Sequence, residues 1–204
     1  MRDIEQALSE ISNIRASMAA ATRFRGYAPE ILLALAAMAA LLALAQMVWP
    51  EVLAADNLAH VIIWGGFLVI SDLAMVANAI ARTPGKHGTL ASAMLSSALG
   101  GQLPFLAVGA IVAIGVCRFA LEAAWIVPGI WQLLMALVAI TQQAILPRRV
   151  VWAGGLYLLT GTLAIVLAGG TGQFAGWMMG IPLSLGHLFI AWILWTDSEG
   201  ALHG

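Results

Sequence analysis

Charge is scarce in this chain. Only 9% of its 204 residues are Asp, Glu, Lys or Arg, whereas 62% are hydrophobic. Soluble domains carry about 25% charged residues, so a soluble globular fold is excluded. Cysteine is nearly absent too. A single residue, Cys117, rules out an intrachain disulfide and any cluster of metal-binding thiolates. No HExxH or comparable ligand spacing is present, which leaves no metal to expect. The nucleophile elbow GxSxG is missing as well. Nothing reads as a phosphate loop or a nucleic-acid-binding surface. No cofactor is expected, and the reading leans away from an enzyme.

Long apolar runs take the place of those motifs. A membrane-spanning helix needs about 20 mostly apolar residues. Six segments qualify: 28–49, 58–79, 93–116, 125–146, 150–169 and 176–195. Backbone polar groups must be satisfied internally in lipid, so each segment is predicted helical. The expected fold class is all-α, a polytopic bundle of six transmembrane helices over 27–197. A cytoplasmic amphipathic helix over 1–26 precedes it, and a short tail over 198–204 follows. Arg2, Arg15, Arg23, Arg25, Arg82, Lys86, Arg148 and Arg149 fall on one side of these crossings, and Arg118 alone on the other. That bias predicts cytoplasmic termini. Trp49, Trp64, Trp125, Trp152, Trp177, Trp192 and Trp195 lie near predicted interfaces, as an aromatic belt would.

The N-terminal arm differs in kind. Ile4, Ala7, Ile11, Ile14 and Met18 follow 3-4-3-4 spacing, which is heptad spacing. Acids sit early and arginines late, complementing a helix dipole. Gly26 breaks the pattern before Pro29 opens the first crossing. The apolar stripe predicts a docking face, either for the membrane surface or for protein: a cytoplasmic partner or a second copy.

The arm, from Arg2-Asp-Ile-Glu-Gln-Ala-Leu8 through Thr22-Arg-Phe-Arg-Gly-Tyr27, resembles an uncharacterised family of small bacterial six-helix membrane proteins. The later run Ala124-Trp-Ile-Val-Pro-Gly-Ile-Trp-Gln132 is similar too. The resemblance implies a bacterial inner-membrane setting and raises the weight of a regulatory role. It brings no activity and no residue assignments.

Two helices look interrupted, the third by Gly-Gly-Gln-Leu-Pro104 and the sixth by Gly180-Ile-Pro-Leu-Ser-Leu-Gly186. Gly100-Gly101 and Gly154-Gly155, each followed by a later proline, suggest related hairpins. Such breaks mark transporter binding sites, and they are also ordinary kinks. Gly172, Gly176 and Gly180 form GxxxG steps, and continuing that face reaches Ser184 and His187. Small residues permit close helix approach, so His187 is predicted to face protein. Asp72 lies between Gly65 and Ala79 at seven-residue steps, also on a small-residue face. Asp72 and His187 each sit about 12 Å from the cytoplasmic ends of their helices. Tyr157 is at similar depth, and Gln102 and Gln142 lie nearer the cytoplasm. An ionised acid at such depth costs roughly 2.5–3.5 kcal/mol on insertion scales. The candidate intramembrane site is therefore Asp72, His187, Tyr157, Gln102 and Ser184, with structural hydrogen bonding as the competing role. The function read from the sequence is a membrane-embedded regulator or sensor that engages a cytoplasmic partner through the arm; the alternatives are a small proton-coupled transporter using an intramembrane Asp/His pair and a structural subunit of a membrane complex.

Overall fold

A computed structural model of the chain describes residues 28–81, 89–142 and 146–200. The arm over 1–26 and its stripe, with Arg82, Lys86 and the last four residues, lie outside the described residues. Among those described, the regular structure is entirely helical. The long helices are α1 (Pro29–Val48), α2 (Asn57–Ala81), α3 (Thr89–Phe119), α4 (Val127–Thr141), α5 (Val151–Thr171) and α6 (Trp177–Gly200). A single turn at Pro50–Leu53 joins α1 to α2, and a 3-10 stretch at Leu121–Ile126 leads into α4. Six segments are long and apolar enough to cross a membrane.

Local chemistry sets the helix ends. Pro29 occupies the start of α1, where its missing N–H is no loss. Asp56 Oδ1 accepts the Ala59 N–H at 2.7 Å and caps α2. Gly172 closes α5 with φ of 68°, a left-handed conformation that glycine adopts without a steric penalty. It is therefore a cap on α5, and the small-residue face of α6 starts at Gly176.

Both expected interruptions are absorbed into continuous helices, with Pro104 inside α3 and Pro182 inside α6. A proline removes the N–H that its i−4 carbonyl would accept. In α6 that carbonyl belongs to Met178, and Gln132 Nε2 of α4 donates to it at 2.8 Å. A side chain from a neighbouring helix thus repairs the break. Pro128, by contrast, sits in the first turn of α4, so the two prolines of the suggested repeat occupy unlike positions.

The tightest interfaces join α1 to α6 and α4 to α5, a pairing different from successive hairpins. Glycines explain the closeness. A Cβ at Gly180 would overlap Ala43 and approach the Ala39 carbonyl of α1, and one at Gly154 would press on Ile140 and the Ala136 carbonyl of α4. Small residues at such crossings let backbones meet. Ser184 Oγ adds a hydrogen bond to the Ala36 carbonyl of α1 at 2.9 Å.

Among the described residues, the side-chain hydrogen bonds from α2 to other elements lie in its first turns. Asn57 Nδ2 donates to the Gly172 carbonyl at 2.8 Å, and Asn57 Oδ1 accepts the Phe174 N–H at 2.9 Å. The His60 ring meets Phe174 edge-on at 5.6 Å. Trp64 Nε1 donates to Gln46 Oε1 at 3.0 Å, and Gln46 Nε2 donates to the Leu53 carbonyl at 2.8 Å. Trp64 is fully buried, so it anchors the core rather than the lipid-facing aromatic belt expected of it. Further along, α2 exposes Val69, Ile70, Leu73 and Ile80, and its contacts with α3 and α4 are sparse.

Candidate functional site: an intramembrane cavity

The sparse packing of α2 against α3 and α4 leaves a cavity of about 450 Å³. Small-molecule sites commonly measure about 300–1,000 Å³. Each of five helices contributes a polar side chain to its lining: Asp72 from α2, Gln102 from α3, Gln142 from the end of α4, Tyr157 from α5 and His187 from α6. Four of the five residues proposed from sequence thus line one cavity. The fifth, Ser184, is not among the lining residues, because its hydroxyl is spent on α1.

The groups differ in what they leave available. His187 is buried, and its Nδ1 lies 2.6 Å from the Leu183 carbonyl. A carbonyl only accepts, so Nδ1 carries the hydrogen and the neutral ring keeps Nε2 as an acceptor. The Tyr157 hydroxyl is buried without a hydrogen-bond partner. It lies directly against Gly186, where any Cβ would overlap it. The glycine beside His187 is thus what admits the tyrosine from α5. Asp72 is half-buried, and among the described residues no hydrogen bond or ion pair holds its carboxylate. No hydrogen bond joins Asp72, Tyr157 and His187, and the cavity lies among them. Buried polar groups are normally paired.

Trp131 lines the apolar wall. Its Nε1 donates to the Gly109 carbonyl of α3 at 3.1 Å. Its ring lies against Gly65 of α2 and Gly109 of α3, so close that a Cβ at Gly65 would come within 2.9 Å of it. These glycines let one large ring bridge three helices. Sequence reasoning passed over Trp131, along with Gln46, Asn57 and Gln132. For Gln132 a signal existed, since a proline inside α6 needs a donor for its i−4 carbonyl. For Asn57 no local signal existed, because its partners lie 115 and 117 residues away.

Among the described residues, no group of three His, Cys, Asp or Glu side chains converges to hold a metal. No protein family, curated protein or solved structure matches the chain. The family resemblance therefore rests on the residues quoted for it, and what the fold establishes is an all-helical chain with six helices suited to a multi-pass membrane protein.

Proposed function

We propose that the protein is a multi-pass protein of the bacterial inner membrane, with cytoplasmic termini, that carries a small molecule through this cavity. Asp72 would alternate between a proton and the substrate. The observation that carries this reading is the shared cavity itself. It places the Asp72 carboxylate, which has no partner among the described residues, in one lining with the His187 ring. Among the described residues, α2 meets its neighbours through side-chain bonds and ring contacts at Asn57, His60 and Trp64. An acid without a partner in an apolar setting is a functional candidate by default.

The test uses proteoliposomes with an entrapped pH dye, challenged with a panel of small organic cations, anions and neutral solutes. The expected result is a solute that drives proton movement in wild type, fails to do so in Asp72→Asn, and does so partly in Asp72→Glu. Equal responses in wild type and Asp72→Asn, or no response across the panel, would overturn the carrier reading.

A second reading rests on the heptad stripe Ile4, Ala7, Ile11, Ile14 and Met18. In it, occupancy of the cavity is passed to a cytoplasmic partner held by the arm. Ile11→Asp with Ile14→Asp should then release a protein that crosslinks to wild type. Absence of any crosslinked partner would remove this reading.

A further inference from the structure

The cavity is polar towards one end and apolar towards the other. Its lining on α2 runs from Val61 to Met75, about 21 Å at 1.5 Å per residue. The polar side chains gather towards the end of the bundle that carries Arg148 and Arg149. Gln142 ends α4, Gln102 is near the start of the apolar span of α3, and Tyr157 is in the second turn of α5. The opposite reach is walled by Val61, Ile62, Ala113 and Ile114. There the one polar atom of Trp131 is already occupied by Gly109.

The mouth has its own character. Ile62 and Val69 of α2, and Leu106 and Ile114 of α3, line the cavity and are also exposed on the outer surface. On a spanning helix that surface faces lipid. The gap between α2 and α3 therefore opens sideways on the bilayer.

Charge narrows the guest further. Among the described residues, Asp72 is the one charged side chain in the lining, with no Lys or Arg beside it. The head-binding end also offers His187 Nε2 as an acceptor, since Nδ1 faces the Leu183 carbonyl, whereas the Tyr157 oxygen is sealed against Gly186. A primary ammonium brings a positive charge and N–H donors, which suit a carboxylate and an imidazole nitrogen. Among the described lining residues a carboxylate or phosphate head would meet a like charge and no cation.

We propose, on the binding reading above, that the ligand is a single-chain alkylammonium. It enters from the bilayer between α2 and α3, sets its ammonium at Asp72, and lays its chain towards Val61 and Ile114. Lipid tails are as apolar as this wall, so selection falls on the head.

The test measures binding of isotope-labelled dodecylamine to the protein in phosphatidylcholine nanodiscs, against empty discs. Binding should be saturable and displaced by unlabelled dodecylamine. Lauric acid, dodecanol and phosphatidylethanolamine doped into the disc should not displace it. Asp72→Asn should weaken it about tenfold or more, the loss expected for a hydrogen bond to a charged group, and Asp72→Glu should retain it. Ala113→Phe, which shortens the apolar end, should exclude hexadecylamine while octylamine still binds. Displacement by lauric acid, or unchanged affinity in Asp72→Asn, would overturn the ammonium assignment. Displacement by phosphatidylethanolamine would overturn the single chain. Flux dependent on Asp72 with a water-soluble solute, without dodecylamine binding, would overturn this inference and leave the carrier reading standing. Dodecylamine binding without any flux would support this inference and overturn the carrier reading.

Discussion

Pro182 sits inside α6 because Gln132 repairs the helix from outside, and that repair has a measurable size. Gln132 is fully buried, and its Nε2 donates to the Met178 carbonyl at 2.8 Å. Stripping a buried acceptor of its donor costs about 1–3 kcal/mol. Interhelical hydrogen bonds in membrane proteins average about 0.6 and reach about 1.7 kcal/mol, because the reference state finds other partners. The Met178 carbonyl belongs at the upper end, since the residue four positions on is a proline without an N–H. Gln132→Leu is therefore predicted to cost about 1.5 kcal/mol. In a Pro182→Ala background the backbone regains its own donor at position 182, and the same substitution should cost about 0.5 kcal/mol. The coupling energy of the cycle is then about 1 kcal/mol. Packing lost at position 182 is common to both arms of the cycle and cancels. The assay is reversible unfolding in mixed micelles by dodecyl sulfate titration, followed by circular dichroism. Equal cost of Gln132→Leu in the two backgrounds would refute the repair argument.

The remaining expectations concern packing, the anchor of α2 and orientation. Gly180→Leu should destabilise the bundle by about 1–3 kcal/mol by forcing α1 from α6, whereas Gly155→Leu should change stability by less than about 0.5 kcal/mol, since nothing lies within 4 Å of a Cβ there; the same titration reads both. Asn57→Ala removes the bonds to Gly172 and Phe174. It should cost about 1–2 kcal/mol and speed amide hydrogen exchange over the first turns of α2, measured by mass spectrometry. In a Cys117→Ser background, an impermeant maleimide applied to spheroplasts should label a cysteine placed at Thr171 and spare one placed at Arg149. The reverse pattern would invert the proposed topology.

Much of the architecture was legible because bilayer thickness and apolar length constrain each other. The first, second and fifth helices begin and end within about two residues of where apolar length placed them, within the usual scatter of helix boundaries. The gathering of polar residues was legible for a related reason. In the spans that apolar length assigns, Asp72, His187 and Tyr157 fall at similar distances from the cytoplasmic ends, and depth can be counted at 1.5 Å per residue. What could not be read is which helices touch. Helix faces say which side packs, and the partner is set by long-range shape. The pairing of α1 with α6 through Gly180 and Ala43 joins opposite ends of the sequence. The prolines misled in the same way. Pro104 and Pro182 read as breaks because a lone helix pays for them, and the compensating donor on Gln132 lies 46 residues from the carbonyl it serves. Ser184 lies with Gly180 against α1, where its hydroxyl bonds the Ala36 carbonyl, while His187 lines the cavity.

The central claim is that Asp72, which has no partner among the described residues, lines a cavity open to lipid, and a hydrophobic carbodiimide tests it most directly. Such a reagent partitions into the bilayer and modifies carboxyl groups it can reach there, at mildly acidic pH, while a water-soluble carbodiimide stays outside. Peptide mapping by mass spectrometry should find the hydrophobic adduct on Asp72, suppressed by dodecylamine. The water-soluble reagent should mark Asp56 and Asp197 instead. Absence of an adduct on Asp72, or an adduct there from the water-soluble reagent alone, would contradict the account.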